Sequence, residues 1–362
     1  MKRFFVFVLL SALTVSTFTL TGCQKQAGEP EKMKVAFVEC DPASGSSWVR
    51  TNEAGQEYLK QQLPWVEVTT VESIKEDPGC VAVFKNLADQ GNKIIFADGV
   101  GYQQFLPDLA KQYPKVIWIE QMGSPTGDNI GSFYGYLPQA RYLQGIIAGM
   151  TTKTNIIGFV GAYPISQILA GVNAFAQGVR SVNPQAKIKV AWTNSWYDPA
   201  KEKDATDALI NAGADVIGCH VDSDAPLKAA AARGVYAMTS NYDWSASAPD
   251  AFLTANLWNW GKYFVKAVQA VRDGTWQPGP YMGSLSDGVV ALAPFGPAVS
   301  ADAKAKVDEA TAAINAGTLQ IFQGPLKDNA GVERVKAGST MSLDEAMASM
   351  DWLLDNIEGS TK

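Results

Sequence analysis

The chain has 362 residues, a formal net charge of −6, 47% hydrophobic and 18% charged residues. That length exceeds what one hydrophobic core usually serves, so two domains are expected. The acidic balance excludes the basic face a nucleic-acid binder needs, and the apolar content excludes an unfolded chain.

The N-terminus carries Lys2 and Arg3, an apolar run over 4–20, and then Leu20-Thr21-Gly22-Cys23. A basic start, a short hydrophobic stretch and small residues before a cut site describe an export signal over 1–22. The run is too short and wrongly flanked for a stable membrane span. Its last four residues resemble a bacterial lipobox, which implies lipidation of Cys23 and membrane attachment through acyl chains. Residues 23–32 are polar, with Gly28 and Pro30, and suit a tether.

Strand and helix patterns then alternate. Strands are expected at 34–39, 66–72, 93–97 and 115–120, and helices near 46–62, 80–91 and 102–112. The rhythm restarts with strands at 155–161, 187–193, 214–219 and 234–240, separated by helices at 165–181, 199–212 and 224–233. Residues 251–274 read as a strand running into a helix; a strand at 288–295, a helix at 301–315 and a strand pair around 319–331 follow. Near-continuous apolar strands alternating with helices imply parallel sheets covered on both faces, here in two doubly wound lobes. The first lobe is expected to span 33–152 plus about 259–310, and the second 153–258 plus about 311–362. Cys40 and Cys80 fall at one sheet edge, where either a bridge or two buried thiols would fit.

Ligands of such sheets bind outside the carboxyl ends of the strands, and two facing edges make a cleft. The residues just after the strands are therefore the informative ones: Trp48, Tyr102, Trp196, Asp222, Ser223, Asn241, Asp243, Trp258 and Trp260. His220 is the single histidine, inside Gly218-Cys219-His220-Val221-Asp222-Ser223. A Ser–His–Asp triad would have to use it, yet no G-x-S-x-G turn accompanies it. No phosphate-binding G-x-x-x-x-G-K-[ST] stretch occurs, and Gly99-Val100-Gly101 is better read as a tight strand-to-helix turn. Dispersed cysteines without C-x-x-C give no metal site, and no cofactor is expected. A hydrolase working through carboxylates alone stays open.

Several segments together carry a likeness to a known family. They include the lipobox, residues 34–48 (KVAFVECDPASGSSW), 155–165 (NIIGFVGAYPI), 194–202 (NSWYDPAKE), 213–223 (GADVIGCHVDS) and 288–295 (GVVALAPF). In order, over nearly the whole mature chain, they resemble the basic membrane protein family of lipoproteins, in its Med-like branch. The resemblance implies a type I periplasmic-binding-protein fold, two lobes around a cleft. It also implies a role as substrate-binding component of an ABC importer, with purine bases or nucleosides as ligand class and a permease and ATPase as partners. It places Trp48, Tyr102, Trp196, Asp222 and Asp243 at the pocket. Val100 departs from the branch's usual Phe, Asp98-Gly99 replace small hydroxyl residues, and Cys219 and Tyr242 are unusual.

The residue types fit a purine. Stacking of an aromatic ring on a base is worth about 1–3 kcal/mol. An aspartate only accepts, so it selects a ring N–H or an exocyclic amine. Expected ligand contacts are Trp48, Tyr102, Trp196, Asp222, Ser223, Asp243, Trp258, His220 and Asn241, with no catalytic or metal-binding residue, in a monomer that binds no nucleic acid. Trp65, Trp118 and Trp192 are expected in the core. The alternatives are a sugar or other small polar solute in the same fold, a nucleoside-processing enzyme, or a sensory lipoprotein.

Overall fold

The structure, a computed structural model, describes Met1, residues 32–42, Ser44, and residues 46–124 and 126–361. Cys23, all of the signal segment but Met1, and all but the last residue of the tether fall outside the described residues.

The first half of the alternation builds β1 (Met33–Glu39), α1 (Ser47–Gln62), β2 (Val66–Val71), α2 (Cys80–Asp89), β3 (Ile94–Asp98), α3 (Leu106–Gln112), β4 (Ile117–Gln121) and β5 (Ile130–Gly135). The second half builds α4 (Leu137–Thr151), β6 (Ile156–Gly161), α5 (Ser166–Val182), β7 (Lys187–Trp192), α6 (Pro199–Asn211), β8 (Val216–His220), α7 (Ala225–Ala232) and β9 (Tyr236–Thr239). β10 (Phe252–Trp258), α8 (Trp260–Arg272), β11 (Gly279–Gly283), β12 (Val290–Leu292) and α9 (Ala301–Asn315) come next, before a C-terminal run of β13 (Leu326–Lys327), β14 (Glu333–Val335), α10 (Leu343–Ser349) and β15 (Ile357–Glu358).

The strands form two sheets, ordered β11-β5-β4-β3-β1-β2 and β12-β10-β9-β8-β6-β7-β15. Every pairing within them is parallel except β10 with β12. Each sheet is buried on both faces: β3 and β8 have no exposed residue, as the apolar runs in sequence require. This is the two-lobe architecture of type I periplasmic binding proteins.

The lobe boundaries differ from the sequence expectation. α4 packs on α5, β8, β10 and β12, so the first crossing lies near Tyr136 rather than 152. The chain crosses back at Asn259, where α8 returns to pack on α1 and β11 joins β5. β12 pairs with β10, so the third crossing lies between residues 283 and 290, not near 310. The crossing segments brace one another: Tyr136 N–H donates to Gly283 O at 2.8 Å, and Asn259 N–H to Val289 O at 2.7 Å.

α4 and α5 meet closely because glycines face backbone. A Cβ on Gly145 would stand 2.1 Å from Phe175 O, and one on Gly178 would stand 1.9 Å from Tyr142 O. Any side chain at either position would force the helices apart. Twelve of the fifteen residues of α4 are buried, including Arg141 and Gln144. Cys40, Cys80 and Cys219 are free thiols, so the bridge considered for the first two is not formed. Trp118 is fully buried in the core, while Trp65 and Trp192 pack half-buried against it.

Candidate functional site

A cavity of about 530 Å³ opens between the lobes at the carboxyl edges of both sheets. From the first lobe, Ser46 and Trp48 enter at the start of α1, Gly99 and Val100 after β3, Met122 after β4, and Tyr134 at the end of β5. The second lobe presents Trp196, His220, Asp222 and Asn241 after its strands, with residues 165–168 at the start of α5. Cys40, Asp41 and Glu76 of the first lobe and Met347 and Ala348 of α10 complete the wall.

Asp222 is the polar centre. Its Oδ1 accepts from Ser47 Oγ at 3.1 Å and from Asn241 Nδ2 at 3.0 Å, and its Oδ2 accepts from Ser46 Oγ at 3.3 Å. The two serines belong to one lobe and Asp222 to the other, and Ser47 N–H also donates to Asp222 O at 3.2 Å. Burial pushes the Asp222 carboxyl up to about 7, against the lowering effect of these three side-chain donors.

Asn241 is held in a left-handed backbone conformation, φ +64°, which asparagine tolerates better than most residues. Its amide orientation is fixed from behind. Trp258 Nε1 donates to Asn241 Oδ1 at 2.9 Å, so the amide nitrogen must face Asp222. Trp258 does not line the cavity; it stacks on Trp260 with centroids 4.8 Å apart and acts through Asn241.

Trp48 is the aromatic wall. Its Nε1 donates to Asp98 Oδ1 at 2.7 Å, and its ring meets Tyr134, Trp258 and Trp260 at centroid distances of 6.2–6.3 Å. Asp98 stands beside Glu39 in register across β1 and β3. Burial pushes both carboxyls up, and the Asp98 charge raises Glu39 further. Asn52 and Gln56 donate to the two Glu39 oxygens at 3.3 and 2.8 Å.

His220 is 7% exposed and lines the cavity, yet makes no side-chain hydrogen bond among the described residues. Burial first, and then the Arg141 charge, hold it well below the usual imidazole range, so at neutral pH it is uncharged, with one donor and one acceptor nitrogen. Trp196 is 42% exposed at the mouth, against Tyr163 and His220.

Besides Trp258, three further expected contacts stand elsewhere. Tyr102 is fully buried between Phe84 and the β2–α2 loop, its hydroxyl donating to Ile74 O, so the turn after β3 carries it inward to the core. Ser223 turns away from the cavity to donate to Glu202 and to accept from Ala225 N–H, which fixes the start of α7. Asp243 accepts from Ser245 N–H at 2.9 Å and shapes the loop beyond Asn241 without lining the cavity. Conversely, Tyr134, Met122, residues 165–168 and Met347 line the cavity without having been expected. Tyr134 and residues 165–168 follow or end strands, the same signal that marked Trp48 and Asp222.

No cluster of metal-ligating side chains occurs among the described residues. The arrangement contains a carboxylate already committed to three donors, a neutral imidazole and aromatic rings, with the Cys40 thiol and the Asp41 and Glu76 carboxylates on the first-lobe side. It suits reversible recognition of a small polar, ring-bearing solute between closing lobes.

Fold and cavity thus define a two-lobed solute-binding protein. Residues 32–320 match the family model described as ABC transporter substrate-binding protein, PnrA-like, and the chain belongs to that family. It is similar to a purine-binding protein of Brucella abortus, 35% identical over 346 residues, covering 95% of this chain and 97% of that one. It is also similar to a Haloferax volcanii protein named as an ABC transporter glucose-binding protein, 30% identical over 296 residues, 82% of this chain and 75% of that one. A solved solute-binding protein of an ABC transporter system from Conexibacter woesei shares the fold, with TM-score 0.68 at 21% identity over 80% of this chain and 98% of that chain. The family is one of transporter components rather than enzymes, and membership brings a solute ligand, ABC permease and ATPase partners, and a place outside the cytoplasm. Among the described residues no helix is long and apolar enough to cross a membrane.

Proposed function

We propose that this protein is the lipid-anchored substrate-binding component of an ABC importer, and that it captures a purine base or nucleoside as a monomer. The observation that carries the reading is the Asp222–Asn241 pair in the same interlobe cavity as Trp48. A purine edge alternates donors and acceptors; the remaining lone pair of Asp222 and the neutral imidazole of His220 can answer such a rim, while Asn241, its amide satisfied by Asp222, Ser47, Trp258 and Ser240, holds Asp222 in place. Trp48 and Tyr134 offer π-faces for the ring, each stack worth about 1–3 kcal/mol. Two stacks and two or three hydrogen bonds reach the roughly −8 kcal/mol of micromolar binding after association costs. The name of the Brucella relative points the same way, across almost the whole chain. Attachment through Cys23 rests on the Leu20–Cys23 lipobox.

A sugar is the second reading, favoured by the name of the Haloferax relative and by the ability of Trp to stack on sugar rings. Denaturing the purified protein and analysing what is released separates the two. A purine, absorbing in the ultraviolet, supports the proposal; a sugar in its place overturns it.

A further inference from the structure

The family model ends at residue 320, yet two cavity-lining residues, Met347 and Ala348, lie beyond it. The stretch that carries them is built into the second lobe. Asn173, fully buried on α5, accepts from Leu354 N–H at 2.9 Å and donates to Trp352 O at 2.8 Å. β15 extends the second sheet by pairing with β7, and Leu353, Leu354 and Ile357 are core residues. At its other end α10 starts on a Ser342 cap, and Asp344 accepts from Tyr136 Oη at 3.0 Å, at the first lobe crossing. α10 is thereby fixed both to the second lobe and to the hinge, with Met347 7% exposed and turned to the cavity beside the start of α5.

We infer that α10 is a size gauge for the ligand, with Met347 and Ala348 setting how large a solute the closed cavity admits. The inference rests on the proposed purine reading for its choice of ligands. A thioether adapts its shape and fills irregular gaps, so it can seal against a flat base yet resists an added ring. Shortening Met347 enlarges the cavity, whereas a bulky residue at the exposed, cavity-lining Ala348 position intrudes on its rim. Neither change touches Asp222, Asn241 or Trp48.

The test is calorimetry of Met347→Ala and Ala348→Trp against adenine, adenosine and D-glucose, with circular-dichroism melts confirming that each variant folds. The gauge predicts that Ala348→Trp weakens the binding of any probe the parent binds by about tenfold or more. It predicts that Met347→Ala shifts the adenosine-to-adenine affinity ratio at least threefold toward the larger ligand. Parent-like affinities in both folded variants overturn the gauge while leaving the purine reading intact. A parent that binds glucose alone overturns the purine reading, and the gauge is then judged on the tenfold criterion with glucose. A parent that binds none of the three removes the gauge.

Discussion

Ser47 Oγ donates to Asp222 Oδ1 at 3.1 Å, from the first turn of α1 in one lobe to the loop after β8 in the other. With Ser46 and Asn241 on the same carboxylate, this contact makes Asp222 a tie between lobes, and the proposed function makes it a reader of the ligand as well. Removing it should therefore affect binding and closure together. A hydrogen bond to a charged group is worth about 1.5–3 kcal/mol, so Asp222→Ala is expected to weaken purine binding by roughly 10- to 150-fold. Small-angle scattering with saturating ligand should show a more open body than the parent. Parent-like affinity by calorimetry would remove Asp222 from the site.

The protonation of Asp222 gives a pH signature. Below about pH 4 the group is protonated in both folded and unfolded chains. From there to about pH 7 the folded chain keeps a proton the unfolded chain has released, so its contribution to stability falls as pH rises, by no more than about 4 kcal/mol, and levels off above. Glu39, Asp98 and Glu120 are also pushed up by burial, so the measurement is a difference. Thermal melts of Asp222→Asn and parent across pH 4–8 should diverge, the variant declining less with rising pH. Parallel curves would contradict a raised carboxyl at this position.

Trp48 is placed by Asp98 and by the rings of Tyr134, Trp258 and Trp260. Trp48→Ala should cost one base stack, about 1–3 kcal/mol, read as a 5- to 150-fold rise in Kd. Asp98→Asn keeps the shape but exchanges a charged acceptor for a neutral one, and should weaken binding several-fold while altering the quenching of tryptophan fluorescence by ligand. Unchanged quenching and affinity in both variants would exclude Trp48 as the stacking face.

Tyr102 and Asp243 supply the matching negative expectation. Tyr102→Phe loses one buried hydrogen bond and should lower stability by about 1 kcal/mol, with ligand affinity within twofold of the parent. Asp243→Ala should likewise leave affinity close to the parent, since its carboxylate serves Ser245 N–H. A tenfold loss of affinity from either change would return that residue to the pocket.

The strands at 34–39, 93–97, 155–161 and 214–219 are legible because burial on both faces demands unbroken β-branched and apolar runs. α4 is not, because a helix buried on nearly every side has no polar face and hence no 3.6-residue contrast to detect. β11, Gly279–Gly283, contains two glycines and a proline, and only its place beside β5 makes it a strand. At the site, the rule that ligands meet strand ends finds Trp48, Trp196, His220, Asp222 and Asn241. The same rule selects Tyr102, Ser223, Asp243 and Trp258, which do not line the cavity, because it marks an edge and says nothing about where each side chain turns. Met347 carries no local signal at all: it reaches the cavity only through the anchoring of a distant segment on Asn173 and β7.

The central claim is that the interlobe cavity reads a purine. Titration calorimetry of the protein with adenine, hypoxanthine and adenosine, set beside D-glucose, tests it most directly. The account predicts micromolar or tighter binding of at least one purine, lost in Asp222→Ala, and no heat from glucose. Saturable binding of glucose with none of the purines would contradict it.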